Sequence, residues 1–377
     1  MELQTDNASQ ENGARQPSGI PTEAPRESYS SWLVQEGVPV HTGLFVQDVR
    51  RVELGPWARL GGEGAYLRLR GAEDQTGSYV CEIPARGTLQ PEVHLFEAVV
   101  YILSGHGCTE FWRTGEQRRV VEWQPDSMLV LPLSVWHRFV NLSDEPARYF
   151  AVTNAPLIIN LFQSTEFVYG ERFAFRDRYM SEADYFSTAP RPAQLPYGEI
   201  VYQNNFIPDF KAISLDLPPA GASRGEGFAR RYLRLGRNRM LTFAAEYPVG
   251  TYTTAHWHEG GVQIYIAQGQ GFTLMWPPEL GWHPWADGKA DRVARVDFTE
   301  GTVYSPPSGW WHQHFNTGNV PVRYIPTGPG LPATRADGRA LVYTSVREEG
   351  GHQLDYDLED PQVRVLYNEA IAAREAS

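Results

Sequence analysis

The chain has 377 residues and a formal net charge of −12, from 45 acidic and 33 basic residues. That charge disfavours nucleic acid and anionic membranes as partners, because both bind basic surfaces. No run of about 18 apolar residues occurs, so no membrane-spanning helix is expected. The two cysteines, Cys81 and Cys108, are too few for a fold held together by disulfides.

The segment 1–30 is rich in polar residues and proline, which predicts a disordered N-terminal tail. It contains neither the basic start nor the apolar run of a targeting peptide, so a cytoplasmic location is expected. The rest of the chain predicts an all-β protein, because 35 glycines and 28 prolines separate many short segments rich in β-branched and aromatic residues. The predicted strands are 79–83, 98–103, 127–131, 147–153, 199–202, 240–247, 262–267, 272–276, 302–305 and 322–326.

The clearest helical pattern lies near the C terminus, over residues 360–374. It begins with an Asp-Pro pair and continues with apolar residues on a helical stripe. We expect this helix to dock on the rest of the protein through that stripe.

Two segments recur in the same order in both halves of the chain. Residues 101–107 (YILSGHG) resemble 265–271 (YIAQGQG), and residues 132–141 resemble 307–316. The second pair of segments is separated by more residues than the first pair. The second copy is therefore predicted to contain an insertion between its two motifs, within 276–292. A repeat of this kind predicts two similar barrels. The predicted organisation is a tail (1–30), an N-terminal barrel (31–156), a linking and barrel-wrapping segment (157–229), a C-terminal barrel (230–330) and an extension with a helix (331–377).

The second copy contains three histidines with the spacing of a metal site. His256 and His258 are two positions apart, so they share one face of a strand. His312 lies on a later strand and can face them across a small barrel. Three converging imidazoles predict one divalent transition metal per chain, with Fe, Mn, Ni, Cu and Zn as candidates.

The order Gly-x5-His-x-His, then Pro-x-Gly-x2-His-x3-Asn, resembles the paired motifs of the cupin superfamily. In the second copy the matching residues are Gly250, His256, His258, Pro307, Gly309, His312 and Asn316. The first copy matches less well: it has Ser134 where glycine is usual and Glu92-Val-His94 in place of His-x-His, although Asp126, Pro132, His137 and Asn141 fit. The chain is therefore similar to the bicupins, which implies two double-stranded β-helix (jelly-roll) barrels.

Most metal-binding cupins supply a glutamate shortly after the second histidine. Here that place holds Gln263, or Val262 if the count runs back from Gly269. Gln263 is thus a candidate weak oxygen ligand or pocket residue. A site of three histidines resembles the gentisate and salicylate dioxygenase branch, which uses Fe(II), although that branch usually holds the iron in its N-terminal barrel.

Several further residues are candidates for the site. His314 lies two positions after His312, so both are expected to face the same side of the strand. It could contact the substrate or transfer a proton, or it could support the metal ligands. Arg323 follows the metal motif on a strand and could pair with a substrate carboxylate, or form an ordinary ion pair. In the first copy, Glu92, His94, Glu97 and His137 could hold a second metal, or the barrel could have kept a structural role alone.

The resemblance implies a non-haem Fe(II) dioxygenase that cleaves the ring of a hydroxylated aromatic acid. The expected partners are dioxygen, an anionic aromatic substrate and further copies of the chain. The same ligands also serve a metal-dependent lyase, decarboxylase or isomerase of a small oxygenated acid. A non-catalytic cupin that binds a small molecule is the third alternative, and fold alone does not choose among the three.

Overall fold

A computed structural model of the chain describes residues 28–72, 74–195, 198–218, 223–330, 336 and 338–375. The predicted tail lies almost wholly outside these residues; its last described positions, 28–30, begin the first helix. Among the described residues, no helix is long and apolar enough to cross a membrane. The α-helices are α1 (Tyr29–Glu36), α2 (Ala155–Phe162), α3 (Thr165–Val168) and α4 (Pro361–Glu375), and short 3-10 helices cover Arg70–Ala72, Leu235–Arg237, Pro278–Leu280, Ala290–Arg292, Leu341–Tyr343 and Tyr356–Leu358.

The predicted all-β fold with a C-terminal helix is confirmed. The strands of the first half are β1 (Val40–Gly43), β2 (Phe45–Val46), β3 (Gly55–Trp57), β4 (Gly62–Leu69), β5 (Gly77–Ile83), β6 (Ala98–Ser104), β7 (Gly107–Trp112), β8 (Arg119–Trp123), β9 (Met128–Leu131), β10 (Trp136–Asn141) and β11 (Ala147–Thr153). Those that follow are β12 (Pro192–Gln194), β13 (Ile200–Tyr202), β14 (Phe206–Ile207), β15 (Ala229–Leu233), β16 (Leu241–Tyr247), β17 (Gln263–Gln268), β18 (Gly271–Trp276), β19 (Ala294–Phe298), β20 (Val303–Tyr304), β21 (Trp311–Asn316) and β22 (Val322–Gly328).

The two halves build the same pair of sheets. In the first half, a large sheet has the order β1-β4-β5-β11-β6-β9-β14, with β3 on β4, and a small sheet has the order β10-β7-β8. In the second half, the large sheet runs β12-β13-β15-β16-β22-β17-β20-β2 and the small one β19-β18-β21. Each large sheet and its small sheet form one barrel, so the sequence repeat corresponds to a repeat of topology.

Each barrel includes a strand that comes from outside its own half of the repeat. Strand β2, which precedes the first barrel's main strands, pairs with β20 of the second barrel. Strand β14, which lies between the two copies, pairs with β9 of the first barrel. The two barrels are therefore joined by strand pairing as well as by side-chain packing.

The insertion predicted for the second copy lies between β18 and β19. That connection covers residues 277–293, whereas the equivalent connection between β7 and β8 covers only residues 113–118. Two short 3-10 helices occupy the longer connection. Helix α4 packs nearby, because its buried residues Val363 and Tyr367 belong to the same apolar cluster as Trp276.

In both copies, the turn before the strand that carries His137 or His312 contains a residue with a left-handed backbone conformation. Gly309 has a φ of 70° and Ser134, at the equivalent position, has a φ of 56°. Glycine adopts this conformation without steric cost, which explains why it is usual at this position. The serine of the first copy adopts the same conformation at a steric cost. The turn keeps its geometry in both copies.

Candidate metal centre

The three histidines of the second copy come together because an isolated bridge joins the chain at His256 to strand β21. The amide of His256 donates to the carbonyl of His312 at 3.0 Å, and the reverse bond is 2.8 Å long. Side chains of residues paired across a bridge lie on the same side, and the two ring centroids are 4.2 Å apart. His258 shares that side, with its ring 4.7 Å from that of His312.

The donor atoms of His256, His258 and His312 fit a metal ion. One ring nitrogen of each lies within 4.8 Å of the others. Nδ1 of His258 and of His312 donates to a backbone carbonyl, at 2.7 and 2.9 Å, which leaves Nε2 with its lone pair free. Nε2 of His256 and of His312 is buried without a hydrogen-bond partner. Buried polar atoms rarely stay unpaired, so these atoms indicate a site that a divalent transition metal would complete.

Electrostatics keep these imidazoles neutral. Burial lowers the pKa of His258 to about 4, and it lowers the pKa values of His256 and His312 well below the ordinary histidine value. The positive charge of Arg224 and the neighbouring imidazoles act in the same direction. Neutral imidazole is the form that binds metals, so the three histidines are in the metal-binding protonation state near neutral pH.

A cavity of about 610 Å³ opens next to the cluster, and His258 and His312 form part of its wall. Much of the remaining wall is apolar, from Met240, Leu241, Phe243, Val262, Ile264, Pro326, Leu341 and Val342. The polar groups include Arg224, Tyr343 and His352. A concave, mainly apolar site with a few convergent polar groups is typical of a small-molecule pocket.

His314 lies beside the cluster but not among the residues that line the cavity. Its ring centroid is 5.6 Å from that of His312. Its Nδ1 is 2.9 Å from the hydroxyl of Tyr304 and 3.1 Å from that of Thr273, and burial lowers its pKa to about 3. This position suits the supporting role that the sequence left open for His314.

The structure does not bring Gln263 to the cluster. Its Nε2 donates to the hydroxyl of Thr76, in the first half of the chain, at 3.1 Å. Successive residues of a strand face opposite sides, and the neighbours Val262 and Ile264 line the cavity instead. At this point of the chain apolar side chains therefore face the cavity, and none of the three clustered donors is a carboxylate.

The structure does not bring Arg323 to the cluster either. Arg323 forms an ion pair with Glu246 at 2.9 Å and donates to backbone carbonyls, including that of Ile213 at 3.1 Å. The next residue on β22, Tyr324, faces the histidines, with its ring centroid 5.7 Å from that of His314. Strand parity thus turns Arg323 to the opposite face.

Two residues of the site, Arg224 and Tyr343, were not predicted from the sequence. Arg224 comes from the loop before β15, and Tyr343 comes from the C-terminal extension. Both line the cavity, and the guanidinium carbon of Arg224 is 5.3 Å from the centre of the Tyr343 ring. Neither belongs to the repeat or to a recognisable spacing, so no pattern in the sequence could have identified them.

The first barrel contains an equivalent cluster with a different composition. Glu92 and His137 form the same kind of bridge as His256 and His312, and Glu92, His94 and His137 offer donor atoms within 4.8 Å of one another. Here the guanidinium of Arg59 forms an ion pair with Glu92, so a positive charge is already present.

Glu97 of the first copy lies elsewhere. Its carboxylate accepts hydrogen bonds from the backbone amides of Arg239 and Met240, at 2.7 and 2.8 Å, and pairs with Arg178 at 2.9 Å. It therefore links the first barrel to the second rather than completing a metal site.

Residues 79–153 match the family model of the cupin domain. Solved structures of oxalate decarboxylase from Bacillus subtilis also match. One variant is 10% identical with a TM-score of 0.48, covering 77% of this chain and 78% of that chain. Another is 11% identical with a TM-score of 0.47, covering 76% and 77%. The structure at pH 4.6 is 11% identical with a TM-score of 0.47, covering 77% and 76%.

No curated protein sequence matches the chain. The family-model match covers β5 to β11 of the first barrel, and the second barrel repeats the strand order of the first. The first half of the chain thus matches the cupin-domain model over these strands, and the second half contains a barrel of the same architecture.

Proposed function

We propose that the chain is a metal-dependent enzyme that converts a small oxygenated acid by lyase, decarboxylase or isomerase chemistry. His256, His258 and His312 of the second barrel would hold one divalent transition metal. The observation that carries the proposal is the set of converging imidazoles, with buried and unpartnered Nε2 atoms on His256 and His312, at the wall of a largely apolar cavity.

A bound divalent metal would supply Lewis-acid polarisation of the substrate's oxygen atoms. The chain itself supplies a group for proton transfer, the phenol of Tyr343, which lines the cavity and hydrogen-bonds to the hydroxyl of Tyr232. Burial opposes ionisation of this phenol, but the guanidinium groups of Arg230 and Arg224 outweigh burial and hold the pKa of Tyr343 below its ordinary value. A cavity phenol whose ionisation is eased in this way is a candidate to hold or move a proton at its oxygen atom.

Metal analysis of purified variants tests the proposed ligands. We expect wild-type protein to contain about one transition metal per chain and His256→Ala, His258→Ala and His312→Ala to lose most of it, because each removes one of three ligands. His352→Ala is the matched control, since this cavity histidine stacks on Trp257 and lies outside the cluster. Unchanged metal content in all three ligand variants would refute the assignment.

A second candidate is an Fe(II) dioxygenase of a hydroxylated aromatic acid. What favours it is the absence of a carboxylate among the three clustered donors, which would leave the full charge of a ferrous ion for an anionic chelating substrate. An oxygen electrode separates the two candidates when metal-loaded protein is given a panel of oxygenated acids. Turnover without oxygen uptake supports the lyase or isomerase. One dioxygen consumed per substrate supports the dioxygenase, and a metal-loaded protein that converts no acid supports a binding role.

A further inference from the structure

We propose that the acid bound in this cavity is amphipathic, with a single carboxylate held by Arg224 and an apolar body that packs along the cavity wall. The proposal deepens the proposed function, because it takes the cavity beside the three histidines as the substrate site. It assigns a substrate class and a specificity residue that the histidine cluster alone does not define.

Arg224 carries a buried charge without a protein counter-ion. It is 5% exposed, and its Nε is buried without a hydrogen-bond partner. None of the acidic residues in the described parts of the chain forms an ion pair with it. An uncompensated buried charge strongly opposes folding, so a chain that retains one is expected to meet an anion there.

The neighbouring Arg230, in contrast, has a protein counter-ion. It is 2% exposed, and its Nε donates to the carboxylate of Glu199 at 3.0 Å. Both guanidinium groups lie near the ring of Tyr343, with carbon-to-centroid distances of 4.1 Å for Arg230 and 5.3 Å for Arg224. Arg224 lines the cavity and Arg230 does not, so the charge of Arg224 can pair with a ligand bound there.

Backbone contacts tie Arg224 to the histidine cluster. Its carbonyl accepts a hydrogen bond of 2.6 Å from the amide of Thr254, two positions before His256. Arg224, His258 and His312 line the same cavity. Guanidinium groups bind carboxylates with two parallel hydrogen bonds, which fixes the orientation of the ligand as well as its affinity. A carboxylate on Arg224 would therefore anchor an acid beside the imidazoles.

The rest of the cavity selects an apolar body rather than a second charge. Its volume of about 610 Å³ lies in the range of pockets for drug-sized ligands. Apolar side chains, including Met240, Phe243 and Leu341, form much of its wall. Glu259 and Arg239 also line the cavity, but both are exposed and of opposite charge, so neither selects a second charge on the ligand. A short dianion would leave the apolar wall unused, whereas a monoacid with a hydrocarbon body would cover it.

Calorimetric titration with straight-chain carboxylates from butanoate to octanoate tests the proposal. In wild-type protein we expect the affinity to rise roughly fourfold for each added methylene, as burial of apolar surface predicts. In Arg224→Gln we expect the affinity for octanoate to fall about tenfold or more, because a charge-assisted pair is lost. The affinity for 1-octanol, which has no charge, should stay unchanged in this variant.

Arg239→Gln is the matched control, because Arg239 also lines the cavity but is exposed and donates to the carbonyl of Pro329. Its affinity for octanoate should stay within about twofold of wild type, as expected for an exposed charge. The proposal is overturned if octanoate binds Arg224→Gln as tightly as wild type, if Arg239→Gln alone abolishes binding, or if malonate binds more tightly than octanoate.

Two further measurements separate a ligand-binding role from a structural one. Arg224→Gln should melt at the wild-type temperature or above it, because it removes an uncompensated charge. If Arg224→Gln does not fold, Arg224→Lys replaces it: an affinity weakened severalfold supports bidentate binding, and an unchanged affinity contradicts it. All titrations are repeated on metal-free protein, where binding that depends on Arg224 should persist even if the metal assignment fails.

Discussion

At the scale of single residues, alternation along the strands decides which side chains reach the site. Ile264 lines the cavity, whereas Gln263, one position earlier, donates to Thr76 in the other half of the chain. Tyr324 faces the histidines, whereas Arg323 pairs with Glu246. A shift of one position changes the face of a strand, so a motif count that is uncertain by one cannot identify a ligand.

The role proposed for Tyr343 gives a prediction about turnover. Tyr343→Phe removes the phenol but keeps the ring, so we expect kcat to fall about 100-fold, the lower end of the usual general acid–base contribution, with little change in KM or metal content. Steady-state kinetics and metal analysis measure these quantities. Tyr367→Phe is the control, because its hydroxyl bonds to the carbonyl of Asn316 rather than lining the cavity. Undiminished kcat in Tyr343→Phe would exclude the phenol from proton transfer.

The two cysteines should differ in reactivity. Burial raises the pKa of the Cys81 thiol to about 12, so the nucleophilic thiolate forms only as the pH approaches that value. Cys108 is partly exposed, and burial raises its pKa less strongly. We expect a thiol reagent at pH 8 to label one cysteine per folded chain and two after unfolding. In Cys108→Ser, labelling of the folded chain should disappear; rapid labelling there would show that Cys81 is accessible.

At the scale of elements, the two barrels use the same bridge for different chemistry. The bridge between His256 and His312 sets two imidazoles side by side, while its counterpart sets Glu92 beside His137. Glu92 forms an ion pair with Arg59, whose guanidinium also lies 4.9 Å from the ring centre of Tyr169. The first cluster therefore contains a cation paired with its carboxylate, although Nε2 of His94 is buried without a hydrogen-bond partner there as well.

This difference predicts where the metal binds. We expect His94→Ala and His137→Ala to keep the wild-type metal content and most of the activity, because Arg59 already neutralises Glu92. Metal analysis and turnover of both variants, with His258→Ala measured beside them, check this expectation. Loss of one metal equivalent in either first-barrel variant would mean that the ion displaces Arg59 from Glu92.

At the scale of the whole molecule, the barrels are built as one unit. Tyr101 and Tyr265, which occupy equivalent positions in the repeat, contact each other with ring centroids 4.8 Å apart. Tyr265 also stacks on Phe150 at 5.7 Å, and a single apolar cluster contains residues of both halves. Together with the strand pairs β2–β20 and β14–β9, this contact couples the stability of the two barrels.

We therefore expect Tyr265→Ala to destabilise the entire chain. Removal of a buried aromatic side chain should lower the free energy of unfolding by about 3 kcal/mol. Urea unfolding, followed by tryptophan fluorescence and by circular dichroism, should show one coincident transition at a lower midpoint. Val34→Ala, at a position that is 81% exposed, should shift it by less than about 0.5 kcal/mol. Two separate transitions in wild-type protein would show that the barrels unfold independently.

Much of the architecture could be predicted because local patterns carry it. Short segments rich in β-branched and aromatic residues between glycines and prolines indicated the strands. The repeat indicated two barrels with an insertion in the second, and the insertion lies between β18 and β19. The helix predicted over 360–374 is α4 (Pro361–Glu375). The spacing of His256 and His258 placed two candidate ligands on one face, since side chains along a strand alternate with a period of two.

The sequence by itself determined the two-barrel fold and the histidines that converge. The fold follows from short strand segments and from the repeat of two motifs, and the histidines follow from the spacing within one copy. Only the tertiary structure decided what surrounds them. Arg224 and Tyr343 come from a loop and from the C-terminal extension, and they meet the histidines across the cavity. Arg59 reaches Glu92 from a separate turn of the first half. Contacts between segments distant in sequence follow from the packing of the whole chain, and no local pattern encodes them.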